Sequence, residues 1–234
     1  MVWGIKNPNL IQPDIEIFNI IINEPVTSLT DLIVGVVCIW AFFKLLHLPQ
    51  KNKIRLYLIL YFLGMGLATI HGGIIGHGFL YLFSFKWKLP AWFVSMVAVA
   101  SLERSAIYHA RKIINPKLGV FFSWLNIIEL ITFMVVSFST LNFYFVMVHM
   151  AYGLGIVVAG FHLYVYRKTK SRGSYIFLIA VILSLISAII FLNEWGISKW
   201  FNHVDISHIF MVVISILLYY GSKKIIIEDI STIN

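Results

Sequence analysis

The chain has one cysteine, Cys38, in 234 residues. That excludes an internal disulfide and a cysteine-rich metal site. Charge is scarce too: 12% of residues are Asp, Glu, Lys or Arg, about half the share of a soluble domain. The apolar blocks lack period-two alternation and run to about twenty residues, which excludes a transmembrane barrel built of ten-residue strands. The last block has no lysine, since Lys199 precedes it and Lys223 follows it, which excludes a retinal Schiff base there. The opening "MVWGIKNPNLIQPDIEIFN" has no basic n-region and no small-residue cleavage site, so a signal peptide is not expected.

What is present is apolar. Hydrophobic residues make up 60% of the chain and the mean hydropathy is +0.89. Long apolar blocks between short charged turns predict an integral membrane protein, and helices are then the remaining spanning structure. The pattern predicts an all-α polytopic membrane protein with seven transmembrane helices, at about 29–47, 54–82, 90–110, 119–138, 142–166, 174–193 and 204–220, each long enough for the roughly 30 Å hydrocarbon core. A segment 1–28 precedes them and a tail 221–234 follows. No internal repeat is visible.

The basic residues orient these spans. Of eighteen Lys and Arg, all but Lys6, Lys86, Lys88 and Lys199 fall on one side of the predicted membrane. The positive-inside rule places the N-terminus outside and the C-terminus in the cytoplasm. The net charge of +8 is then a cuff facing anionic lipid, and nucleic acid is not an expected partner. Bacterial inner (plasma) membrane is the expected location.

Orientation assigns depth to the polar residues. Glu24, Asp31, His71, His77, His149, Glu194, His203, Asp205 and His208 all fall in the outer half. Buried ionisable groups face a cavity, a partner or an ion, and imidazoles with carboxylates form the zinc ligand set. In "FNHVDISHIFMVVISILLYYG", Asp205 and His208 are three apart on one helical face. His203 is about 140° from His208 on an ideal helix and joins only from a lead-in. His77 is about 120° from His71 and serves the rim or the substrate. The glycines of "HGGIIGHG" permit close helix approach or a local distortion. In "NEPVTSLTD", Thr27 or Ser28 is a candidate cap and Asp31 a first-turn carboxylate. Glu24 and Asp31 are also candidates to fold over the outer opening with Glu194, and the acidic residues and backbone carbonyls of "NEP" are a candidate Ca²⁺ site. Asp205 has a capping alternative. His149 reads as a hydrogen-bonded packing partner, and His47, His109 and His162 as interfacial. Glu129, near the midplane, and Glu103 are candidates for a structural network or an ion path.

"NEPVTSLTD", "GLATIHGG" and "FNHVDISHIFMVVISILLYYG" resemble the first, second and seventh helices of the seven-helix membrane hydrolase superfamily of alkaline ceramidases and progestin/adiponectin receptors. The resemblance implies zinc-dependent hydrolysis of a lipid amide, with His71 and His208 as ligands. It departs from the pattern at Leu67, where a serine is expected, and at Val204, where a histidine is expected, leaving His203 or Asp205 to substitute. No aspartate follows His71 at the usual distance. The expected function is a zinc-dependent hydrolase of a lipid amide or ester, with His71, His208 and His203 as metal ligands and Asp205, Glu24 or Asp31 carrying protons. The alternatives are a proton- or ion-coupled carrier using Glu129 and Glu103, and a receptor without catalysis.

Overall fold

A computed structural model describes residues 8–228. The ends of the predicted N-terminal segment and tail, 1–7 and 229–234, lie outside the described residues. A short antiparallel hairpin, β1 (Ile15–Ile17) and β2 (Ile20–Ile22), turns at Phe18 and Asn19, both with positive φ. Everything after it is helical: α1 (Pro25–Leu46), α2 (Lys53–His71), α3 (Leu89–Ala110), α4 (Pro116–Thr140), α5 (Phe143–Tyr152), α6 (Ala159–Thr169), α7 (Arg172–Leu192) and α8 (His203–Ile227). Two π-helical segments interrupt the pattern. Gly72–Gly78 continues α2, and Gly153–Val158 joins α5 to α6 without a break.

Six continuous segments are long and apolar enough to cross a membrane: Pro25–Leu46, Lys53–Gly78, Pro116–Thr140, Phe143–Thr169, Arg172–Leu192 and His203–Ile227. The protein is an integral membrane protein. Helix α3 has comparable length, 22 residues, but is mostly buried and carries Ser95, Ser101, Glu103, Arg104, Ser105 and His109. A helix shielded by its neighbours need not be apolar, which is why the apolarity that defines the other six fails here.

The helices close into a ring. α1 packs on α2 and α8, α2 on α3, α3 on α4 and on the second π segment, α6 on α7, and α7 on α8. The main core joins Val34 and Cys38 of α1, Leu58 and Phe62 of α2, Leu102 of α3, Phe177 of α7 and Leu218 of α8. A separate outer layer between α3, α4 and α5 is made of Trp92, Met96 and Val146 with Phe133, Phe138 and Phe143.

Several predicted boundaries move. α1 starts at Pro25, with Glu24 in the cap position, left-handed and making no side-chain cap bond, so neither Thr27 nor Ser28 caps it. α8 runs on to Ile227, through what was expected to be tail. Lysines do not stop a helix whose end lies at an interface, where long side chains reach water. His109 and His162 are fully buried rather than interfacial, their rings 5.8 Å apart.

The α7–α8 contact depends on Gly173. A Cβ there would collide with Ile225 Cγ2 and lie 2.9 Å from the Ile225 backbone N. Gly160 has nothing within 4 Å of the same position. Gly173→Ala is expected to destabilise the detergent-solubilised protein by about 1–3 kcal/mol through overpacking. Gly160→Ala, in a helix and in open space, is expected to be neutral or slightly stabilising. Thermal melts of the two variants compare them directly.

Candidate functional site

The N-terminal segment is tied to the bundle by Gln12. Its Oε1 accepts from Val26 N at 3.1 Å and Thr27 N at 3.4 Å, meeting donors at the start of α1 that Glu24 leaves open. Its Nε2 donates to Thr27 Oγ1 at 3.0 Å and to Asp205 Oδ2 at 2.7 Å. Thr27 Oγ1 donates to Asp205 Oδ1, and Asn202 N to Asp205 Oδ2, each at 2.7 Å. Asn202 caps α8, with Asp205 completing the capping box. The Asp205 carboxylate is fully buried and already holds three donors. This revises its expected catalytic role: it clamps the N-terminal segment, α1 and α8 together.

Beside the clamp, four ionisable side chains meet where the start of α1, the first π segment and the start of α8 come together. His77 donates through Nδ1 to Glu24 Oε2 at 2.5 Å. The His77 and His208 rings are edge to face, with centroids 6.3 Å apart. His208 Nε2 lies 3.7 Å from Asp31 Oδ1. Side-chain exposure falls along this series, from 41% at Glu24 through 25% at His77 and 11% at His208 to 9% at Asp31, so the cluster descends from solvent into the bundle. Burial tends to raise the Glu24 carboxyl, but the hydrogen bond and charge of His77, with Lys88, outweigh it and hold the group below its ordinary value. Burial pushes the Lys88 ammonium down, partly countered by Glu24.

Proton placement in this cluster follows from the partners. The Thr30 hydroxyl donates to Thr27 O at 3.1 Å, so Thr30 Oγ1 accepts from His208 Nδ1–H at 2.9 Å. His208 Nε2 is then a lone-pair nitrogen. It faces a carboxylate that accepts no hydrogen bond among the described residues, across a gap too long for one. The π segment makes room for that carboxylate. A Cβ on Gly72 would stand 2.8 Å from Asp31 Oδ2. An apolar groove of about 570 Å³ lies on the same π segment, between Asn19 and Ile20 of the hairpin and Ile74, Ile75 and Phe79, and no member of the cluster lines it.

The expected ligand set of His71, His203 and His208 is not assembled. His71 Nε2 donates to Trp87 O at 2.7 Å, and the His203 ring packs against Phe191 at 5.3 Å. His77 takes the place expected for His71. Each π turn carries an extra residue, which rotates every side chain beyond it relative to an ideal helix. Glu194 sits in a left-handed turn, φ 52°, after α7. No further carboxylate gathers around Glu24 for calcium among the described residues.

A second cluster lies between α3, α4 and α5. Glu103, Glu129 and His149, all buried, each offer a ligand atom, and those atoms lie within 4.8 Å of one another. His149 belongs here and not to the outer layer. Its Nδ1 is 2.7 Å from Glu129 Oε1, and its Nε2 donates to Met96 O at 3.0 Å. Asn126 bridges Glu103 to Arg104. Its Nδ2 donates to Glu103 Oε2 at 3.0 Å, and its Oδ1 accepts from Arg104 Nε at 2.9 Å. Gln12 and Thr30 gave no sequence signal at all, being short polar side chains whose partners are about 180 residues away.

Fold and sites together define a polytopic helical membrane protein with one polar cluster at one rim of the helical ring and another buried within it. The chain belongs to a family of unknown function, DUF6962, which matches residues 26–226, nearly the whole helical ring. No curated protein and no solved structure matches it.

Two tests follow. Asp205→Ala leaves Gln12 Nε2, Thr27 Oγ1 and Asn202 N without an acceptor and is expected to cost about 3 kcal/mol or more. Gln12→Ala added to it should cost little further, because the two act on one network; melting curves of the two single variants and the double variant measure this. For Glu24, the folded-state pKa lies below the unfolded value. Its contribution is therefore full above pH ~4.3 and is lost as pH falls through the lower folded value. Acid titration of stability should show a component below pH ~4 that Glu24→Gln removes.

Proposed function

We propose that the protein is a seven-span membrane hydrolase that cleaves a lipid amide or ester with the help of a zinc-type divalent ion at its outer rim. Helix α3 is the seventh span, and an odd number of crossings separates the ends, N-terminus outside and C-terminus in the cytoplasm. The clustering of fourteen of eighteen basic residues on one side supports this orientation.

The observation that carries the reading is the facing pair of His208 Nε2 and Asp31 Oδ1. Two buried acceptors 3.7 Å apart repel unless a proton or a metal cation lies between them. Two zinc ligands at 2.0–2.1 Å in tetrahedral geometry are themselves about 3.3 Å apart. His208 and Asp31 are the two donors that face each other, and His77, whose ring centroid is 6.3 Å from that of His208, has to turn toward them to add a third. When bound, the ion supplies a Lewis acid that polarises a carbonyl and acidifies water. Glu24 accepts the Nδ1 proton of His77, which fixes the ring's tautomer and leaves Nε2 basic. As the most exposed member, Glu24 also exchanges protons with solvent. The groove along Ile20, Ile74, Ile75 and Phe79 takes the acyl chain from the outer leaflet. A carrier running from Asp205 to Glu129 is less well supported, because the Trp92–Met96–Val146 layer closes α3, α4 and α5 on the outer side of His149.

Purified full-length protein is expected to contain zinc that His208→Ala and Asp31→Asn remove, and to hydrolyse a fluorescent acyl-amide lipid in a chelator-sensitive way. Glu24→Gln should lower turnover about 10–100-fold with the metal retained. Folded protein whose metal content ignores both His208 and Asp31 refutes the reading.

A further inference from the structure

Buried acceptors also go unmet at mid-bilayer, on helices that take no part in the outer cluster. Glu103 Oε1 and Glu129 Oε2 are buried and make no hydrogen bond. Both belong to residues at most 8% exposed. A carboxylate oxygen accepts only, so its partner must bring a proton, a donor or a positive charge. Unmet carboxylates at this depth are costly.

The surroundings leave a cation as the fitting partner. Arg104 is committed to Asn126, and Asn126 to Glu103 Oε2 and Ala100 O. Glu103 Oε1 instead faces Gly153, where a Cβ would stand 2.5 Å away. Gly153 opens the second π segment, as Gly72 opens the first beside Asp31. Such π turns recur at functional sites, where they admit a group that a regular helix would exclude.

His149 is set up as a ligand. A carbonyl only accepts, so Nε2 must carry the proton given to Met96 O. An imidazole that donates its other N–H to a backbone carbonyl is the usual arrangement around a metal, because it fixes ring and tautomer. Nδ1 is left to face the carboxylates. At 2.7 Å from Glu129 Oε1 the two share one proton in the absence of an ion.

We propose that Glu103, Glu129 and His149 form a second divalent-metal site, independent of the outer cluster and selective for a borderline first-row ion such as Zn²⁺, Fe²⁺ or Mn²⁺. One imidazole and two carboxylates suit that class, whereas Ca²⁺ asks for six to eight oxygens. Two carboxylates balance the charge of a divalent ion. Three protein donors leave a coordination position open. An entry path exists: a groove of about 470 Å³ between α3, α4 and α6 ends on Glu103 and Asn126, with Tyr152, Phe122 and Phe161 along it.

The test is metal stoichiometry on full-length protein in detergent, stripped with chelator and reloaded with Zn²⁺, Fe²⁺ or Mn²⁺ alone. One equivalent is expected to disappear in Glu129→Gln and in His149→Gln while the variants melt cooperatively. An equivalent must also remain in His208→Ala, where the inner residues are untouched; this arm holds even if the inner variants do not fold. X-ray absorption on His208→Ala loaded with Zn²⁺ should show nitrogen and oxygen ligands with a single imidazole. Folded inner variants that keep wild-type stoichiometry overturn the proposal, as does His208→Ala that binds no ion. His208→Ala that loses nothing, with Glu129→Gln losing all, upholds this site and removes the outer one.

Discussion

Asp205 joins the N-terminal segment, α1 and α8 at a single carboxylate. Its carboxylate takes donors from Gln12, Thr27 and the backbone of Asn202. It is buried where α1 meets α8, so the first and last helices close the ring around a charge. Each donor offsets part of the cost of burial, and the residual cost falls on any conformation in which the ring opens. The outer cluster depends on this closure. Asp31 and Thr30 are on α1 and His208 on α8, so a shift of one helix against the other separates them. The fixed N-terminal segment in turn carries the hairpin whose Asn19 and Ile20 wall the outer groove.

The other three deep carboxylates contrast with this. Asp205 holds three donors, while Glu103 Oε1 and Glu129 Oε2 are buried without a hydrogen bond and Asp31 accepts none among the described residues. Two of these three lie against the first glycine of a π segment, Asp31 on Gly72 and Glu103 on Gly153. Each π segment also borders a groove, through Ile74 and Ile75 outside and Ile156 and Val157 inside. The same local device therefore serves twice: a glycine clears space for an acceptor, and the wide turn places aliphatic side chains beside it. The carboxylate saturated with donors holds the fold together, and the unsaturated ones are where metal binding is proposed.

The helices were legible in the sequence because twenty apolar residues in a row leave the chain few choices. What polar content marks is less direct. α3 was expected as an ordinary span, yet its serines, Glu103 and Arg104 face inward, and burial among neighbours replaces apolarity. The outer layer was legible as a set of residues but not as contacts. Ideal helix arithmetic separates His77 from His71 and keeps His71 inside. Gly72–Gly78 breaks that arithmetic, because π turns leave no trace in hydropathy. His149 was placed in the outer layer by counting along its helix, whereas the side chain of Glu129 reaches it from α4. Asp205 was singled out correctly as unusual, but spacing alone cannot tell a ligand from a clamp. The difference lies in Gln12, a residue with no motif around it.

The proposed function stands on His208 and Asp31 facing each other across a cation. Anomalous diffraction at the zinc edge, from crystals of the unchelated full-length protein, tests it most directly. A peak bonded to His208 Nε2 and Asp31 Oδ1 at about 2.0–2.2 Å is the predicted result. Well-ordered density for both side chains with no anomalous signal between them would contradict it.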